Sequence, residues 1–209
     1  MLNNKPKLSD YSSRLSKALE SIDQGELDQL LYEISNRINT NSSIYILGNG
    51  GSHANAHHIT GDFLKSFALA GAKIRISCLG DNICYLTAAS NDLSYEEAYS
   101  LLVGTLIEPG DLIIYLSGSG NSINLVKCAR KAKARKILQA SVTSFNGGAL
   151  KGLVDIPIYL VNDDMEIAED VQLILFHYLK QNLLSTFDNT NSLDSLTKYK
   201  KRIVEDLVS

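Results

Sequence analysis

The chain has 209 residues, of which 44% are apolar and 21% charged, and its formal net charge is −3. That length suits one α/β domain with additions, or at most two small domains, and the apolar share supports a sizeable core rather than a disordered chain. The slightly acidic balance speaks against a nucleic-acid surface, which carries a basic excess, and no window reaches the ~18 apolar residues of a membrane span.

Cys78, Cys84 and Cys128 are scattered with no CxxC spacing. A sparse, odd set of thiols fits buried packing in a reducing cytoplasm better than a disulfide scaffold. The start, MLNNKPKLSD, lacks the apolar core of a signal peptide. A soluble, cytoplasmic protein is expected.

In chain order, Leu8 to Arg37 reads as helix, with Leu15, Leu19, Ile22, Leu27, Leu30, Leu31 and Ile34 near helical spacing and Gly25 as a candidate break. Because it precedes the first strand, this segment is expected on the outside of the domain or against another subunit. Strands and helices then alternate. Strands are predicted at Ser43–Leu47, Lys73–Leu79, Leu112–Leu116, Ile137–Thr143 and Ile156–Val161. Helices are predicted from about Ser52 to Phe67, Ile83 to Ser90, Tyr95 to Ile107, Asn121 to Arg135 and Ile167 to Leu184. After Leu184 a polar linker leads to a last amphipathic helix carrying Leu193, Leu196, Tyr199, Ile203 and Leu207, beside the basic residues Lys198, Lys200, Lys201 and Arg202. The division is therefore 1–42, an N-terminal helical segment; 43–184, the α/β domain; and 185–209, the linker and terminal helix.

Short apolar strands rich in β-branched residues and separated by helices predict a doubly wound, five-stranded parallel sheet sandwiched by helices. In such a fold ligands bind beyond the carboxyl ends of the strands. Two unusual segments sit there. The first strand ends in GNGGS (Gly48–Ser52) and the third in SGSGNS (Ser117–Ser122). Glycines let a ligand approach the backbone, and serine hydroxyls, free amides and a helix N-terminus together hold a phosphate without a lysine. A plain connecting turn has the same composition. GNGGS is not a P-loop, and it departs from the dinucleotide pattern GxGxxG because His53 stands at the third glycine's place, so no nucleotide cofactor is expected.

The first helix of the domain carries His53, His57 and His58. His58 and Asp62, four apart, share a helix face, which suits a metal pair, a base with its neighbour, or a surface hydrogen bond. His53 and His57 read as caps or surface residues. The fourth histidine, His177, lies in the closing helix among apolar neighbours, where a satisfied core histidine is the ordinary reading, with Glu169 two turns earlier and Gln172 between them.

GNGGSHANAHH, the step Ser90-Asn91-Asp92, LSGSGNS and the closing EDVQLILFH together resemble the sugar isomerase (SIS) domain, and most closely its phosphoheptose isomerase branch. The resemblance covers roughly Leu8 to Leu184. It implies an aldose–ketose isomerase acting through an enediol on a phosphorylated sugar, sedoheptulose 7-phosphate, with a non-catalytic sugar-phosphate-binding or regulatory SIS protein as the alternative. It further implies that Asn49, Gly50, Gly51 and Ser52 contact the sugar phosphate, that Ser117, Gly118, Ser119 and Ser122 hold the phosphate, and that Asn91 and Asp92 line the sugar. His58, Asp62, Glu169 and His177 are implied as zinc ligands, with Asp62 as base and His177 as acid. Homotetramers with shared active sites are also implied.

Three positions depart from the family pattern. Asp62 replaces a glutamate, which shortens the reach by ~1.5 Å, a shift to which reacting geometry is sensitive. Gly118 replaces a hydroxyl residue. Glu169 replaces a glutamine, a better zinc ligand that adds negative charge.

Overall fold

The computed structural model of the chain describes residues 7–186. The C-terminal amphipathic helix, with its basic run, lies outside the described residues. No helix of the described residues is long and apolar enough to cross a membrane.

Five parallel strands are present: β1 (Ser43–Gly48), β2 (Arg75–Cys78), β3 (Leu112–Ser117), β4 (Leu138–Thr143) and β5 (Ile156–Tyr159). Their order is β2-β1-β3-β4-β5. Winding reverses between β1 and β3, which pair with Gly48 opposite Leu116. The two loops singled out in the sequence therefore leave adjacent strand tips at the point where a doubly wound sheet opens a crevice.

Alternation along each strand divides the core in two. Ile44, Ile46, Leu112, Ile114, Leu116, Ala140 and Val142 point to one face, under α1 (Leu8–Glu20), α2 (Gln24–Thr40), α3 (Gly50–Leu69) and α7 (Met165–Ser185). Tyr45, Leu47, Ile113 and Tyr115 point to the other, under α5 (Ile123–Ala134) and its neighbours. Two further helices, α4 (Ile83–Asp92) and the six-residue α6 (Gly148–Leu153), complete the set together with a 3₁₀ turn at Ser100–Leu102.

The structure departs from expectation in three places. The break in the N-terminal helix falls at Ser21–Asp23, not at Gly25, because the Asp23 side chain accepts from the Glu26 N–H and starts a new helix. The buried Leu27, Leu30 and Ile34 of that second helix belong to the same core as the sheet. Tyr95 to Ile107 is not one helix. Gly104 takes φ +89° and its N–H donates to the Ile107 carbonyl, so the segment folds back on itself. Finally, the turn at Asn146–Gly148 runs straight into α6, whose six residues are too few for a periodic signal.

Candidate active site

The GNGGS and SGSGNS loops face one another across a cleft of about 280 Å³. Its lining includes Asn49, Gly50, Gly51, Ser52, Ser117, Gly118, Ser119, Ser122 and Glu169. Asn49 caps α3 from extended backbone and Ser122 caps α5, so two helix N-termini open on the same space. Gly50 takes φ +54°, a left-handed conformation that glycine reaches without strain.

Asn49 is held rather than free to swing. It exchanges two amide hydrogen bonds of 2.9 Å with Asn124, and Tyr95 Oη donates to its Oδ1 at 2.7 Å. Tyr99 Oη donates to the Gly48 carbonyl at 3.3 Å. These three partners escaped the sequence reading, since their contacts come from the folded-back segment and from α5. The serine loop is also braced. Ser117 Oγ accepts from the Gly120 N–H and Ser119 Oγ from the Asn121 N–H. At Gly118 a Cβ would lie 2.4 Å from Met165 Sδ, so a side chain there would require that thioether to move. The thioether fills the place a side chain would take.

Ser52 is buried, and its Oγ accepts from Gln172 Nε2 at 3.2 Å. Gln172 also accepts from Asn55 at 3.0 Å and is 1% exposed, so it packs α7 on α3.

Farther along the same helix pair a second cluster forms. The Nε2 atoms of His58 and His177 are 3.2 Å apart, and His177 Nε2 lies 3.8 Å from Asp62 Oδ2. Lys180 donates to that same oxygen, and Lys65 Nζ lies 3.6 Å from Asp62 Oδ1. Lys180 was missed from sequence, although its place three residues after His177 puts both on one face of α7. Burial raises the Asp62 carboxyl, but the Lys180 hydrogen bond and charge, with Lys65 and His177, outweigh it and leave the group below its ordinary value. Burial, then the Lys180 charge and His58, lower the His177 imidazole against the pull of Asp62, so it favours its neutral form.

His58, Asp62 and His177 bring ligand atoms within 4.8 Å of one another. Edges of 3.2 and 3.8 Å bracket the separation of about 3.3 Å between nitrogen ligands on tetrahedral zinc, so the trio fits such an ion. Glu169 does not join them. Its carboxylate lies over Gly51, 2.2 Å from where a Cβ would stand. Eight residues of helix, about 12 Å, separate it from His177, and it reaches the cradle instead. Asn91 and Asp92 end α4 exposed, hydrogen-bonded to one another, and do not line the cleft.

The family model of the SIS domain matches residues 9–144. A phosphoheptose isomerase of Helicobacter pylori is 30% identical over 169 residues, which is 81% of this chain and 88% of that one. A probable phosphoheptose isomerase of Thermoplasma volcanium is 29% identical over 82% of this chain and 88% of its own length. Among solved structures, the phosphoheptose isomerase of Neisseria gonorrhoeae superposes with a TM-score of 0.75 at 23% identity, covering 85% of this chain and 95% of that one. The chain belongs to the SIS domain family.

Proposed function

We propose that this chain is an aldose–ketose isomerase of phosphorylated sugars, a phosphoheptose isomerase that converts sedoheptulose 7-phosphate to D-glycero-D-manno-heptose 7-phosphate. The observation that carries this reading is the placing of two sites on one seam: the loop cradle at the N-terminus of α3 and beside the first turns of α7, and the His58–Asp62–His177 cluster farther along both helices. Six residues of α3 separate Ser52 from His58, about 9 Å of helix, and eight of α7 separate Glu169 from His177, about 12 Å. An extended sugar phosphate of several carbons bridges such a gap, whereas a triose falls short. Relatives named phosphoheptose isomerase that match over four-fifths of the chain support the heptose.

The reaction moves a proton between adjacent carbons through an enediol. Backbone amides of the Gly50–Ser52 turn and the hydroxyls of Ser119 and Ser122 seat the phosphate and fix the carbon chain. Asp62, ionised at neutral pH, takes the proton from the carbon and returns it to its neighbour. His177 exchanges protons with the adjacent substrate oxygens, which it does as a neutral imidazole able to donate or accept. Zinc held by His58, Asp62 and His177 would polarise those oxygens.

Homotetramers with shared sites form part of the same reading. Helix α4 has no buried residue among its ten, and Ile83 is 63% exposed. A second subunit packed on α4 would cover it and bring Asn91 and Asp92 toward a cleft. The three free thiols fit a reducing cytoplasm.

Incubation with sedoheptulose 7-phosphate, followed by NMR of the sugar, tests the activity. Appearance of the aldoheptose supports it. Saturable binding without conversion favours the non-catalytic module, which the Lys180–Asp62 pair would explain by occupying the base.

A further inference from the structure

The other histidines of the α3 cluster are not bare surface residues. His53 Nδ1 lies 3.7 Å from the sulfur of Cys78, the buried last residue of β2. His53, Cys78 and Asp81 bring ligand atoms within 4.8 Å of one another. His57, one turn after His53, places Nε2 3.3 Å from Asp81 Oδ1.

The local backbone is shaped for this meeting. The Asp81 N–H donates to the Cys78 carbonyl and the Ile83 N–H to the Asp81 carbonyl, so a tight turn returns Asp81 toward Cys78. Between them, a Cβ on Gly80 would lie 2.1 Å from His53 Cε1. Only glycine leaves room for the imidazole to lie across the turn and reach the sulfur.

The sulfur–nitrogen separation matches an edge of a tetrahedral zinc site. Ligand bonds of about 2.3 Å to sulfur and about 2.1 Å to nitrogen give such an edge of about 3.6 Å. The observed value is 3.7 Å, and Asp81 lies within reach of the same point.

We propose that His53, Cys78 and Asp81 form a second divalent-metal site of zinc class, separate from His58, Asp62 and His177, with His57 steadying Asp81. On binding, the Cys78 thiol gives its proton to solvent as the sulfur–metal bond forms. The site ties the β2–α4 turn to the first turn of α3, one residue beyond Ser52, and so steadies the phosphate cradle.

Cobalt(II) titration of the reduced full-length protein tests this. A thiolate ligand gives cobalt a near-ultraviolet charge-transfer band, and the His58–Asp62–His177 trio contains no sulfur, so the band does not report that trio. The band is expected to grow to saturation, to persist in Cys84→Ser and Cys128→Ser, and to vanish in Cys78→Ser. His53→Ala should weaken cobalt binding about tenfold or more. Absence of the band in the wild type, or its survival in Cys78→Ser, overturns the proposal. Should Cys78→Ser fail to fold by circular dichroism, an unchanged band and affinity in His53→Ala overturn it as well.

Discussion

His58 and His177 face each other through their Nε2 atoms at 3.2 Å, one imidazole from α3 and one from α7, with rings inclined at 76°. At that distance the two nitrogens are placed to share one cation, and the His58 charge is among the causes that lower the His177 imidazole. Asp62 completes the corner, so the base of the proposed reaction is built into the group that would hold the metal. Asp62→Asn keeps size and polarity but cannot accept a proton. Turnover of sedoheptulose 7-phosphate is expected to fall about 10²- to 10⁴-fold while substrate binding changes little. Progress curves with binding by calorimetry check this, and near-normal turnover would remove Asp62 from the proton transfer.

Lys180 competes for the same carboxylate. Its ammonium and Asp62 are each 15% exposed, a setting in which a charge pair is only partly screened by water. A cation arriving at His58 and His177 must displace that ammonium or share Asp62 with it. Lys180→Met is therefore expected to tighten zinc binding about tenfold, and Lys180→Arg to leave it near wild type. Competition with a chromophoric chelator measures both. Equal affinity in all three proteins would make Lys180 a bystander.

Glu169 places a carboxylate among groups otherwise suited to an anion. Two negative charges a few ångströms apart repel by about 1 to 3 kcal/mol at the effective dielectric of a half-open site. Glu169→Gln removes the charge and keeps the shape. The KM for the sugar phosphate should fall about fivefold or more, with a smaller change in kcat. A raised KM would mean that the carboxylate contacts the sugar favourably.

Much of this arrangement was legible in the residues. Apolar strands ending in glycine- or serine-rich turns predicted the sheet, whereas the adjacency of β1 and β3 is a matter of strand order that only the structure supplies. His58 with Asp62 was readable from helical spacing. What escaped depended on contacts distant in sequence. Tyr95 and Tyr99 reach Asn49 and Gly48 because their segment folds back at Gly104, where a helical pattern of apolar residues had implied a straight helix. The place of Glu169 was hidden for a different reason: residue type fixes what it can ligate, and only the packing of α7 on α3 decides which end of the seam it serves. The closeness of His53 to Cys78 required β2 and α3 to be neighbours, which no local spacing could reveal.

The first turn of α7 is anchored from outside the sheet. Asp164 caps the helix by accepting from the Glu166 and Ile167 N–H groups, and Arg14 of α1 pairs with its other oxygen. The Arg14 hydrogen bond, together with the Ile167 N–H and the Arg14 charge, holds the carboxyl below its ordinary 3.8. A carboxyl depressed in the folded state binds its proton more tightly when unfolded, so its contribution is present above the ordinary value and is lost as pH falls through the folded one. Asp164→Asn preserves the cap, since asparagine serves as well as aspartate there, and removes only the charge. The wild type should therefore melt higher than Asp164→Asn at pH 7, and the two melting temperatures should converge as the pH is lowered past the carboxyl range. Arg14→Met should show the same convergence. A gap that widens in acid would mean that the pair does not tie α1 to α7 in the folded protein.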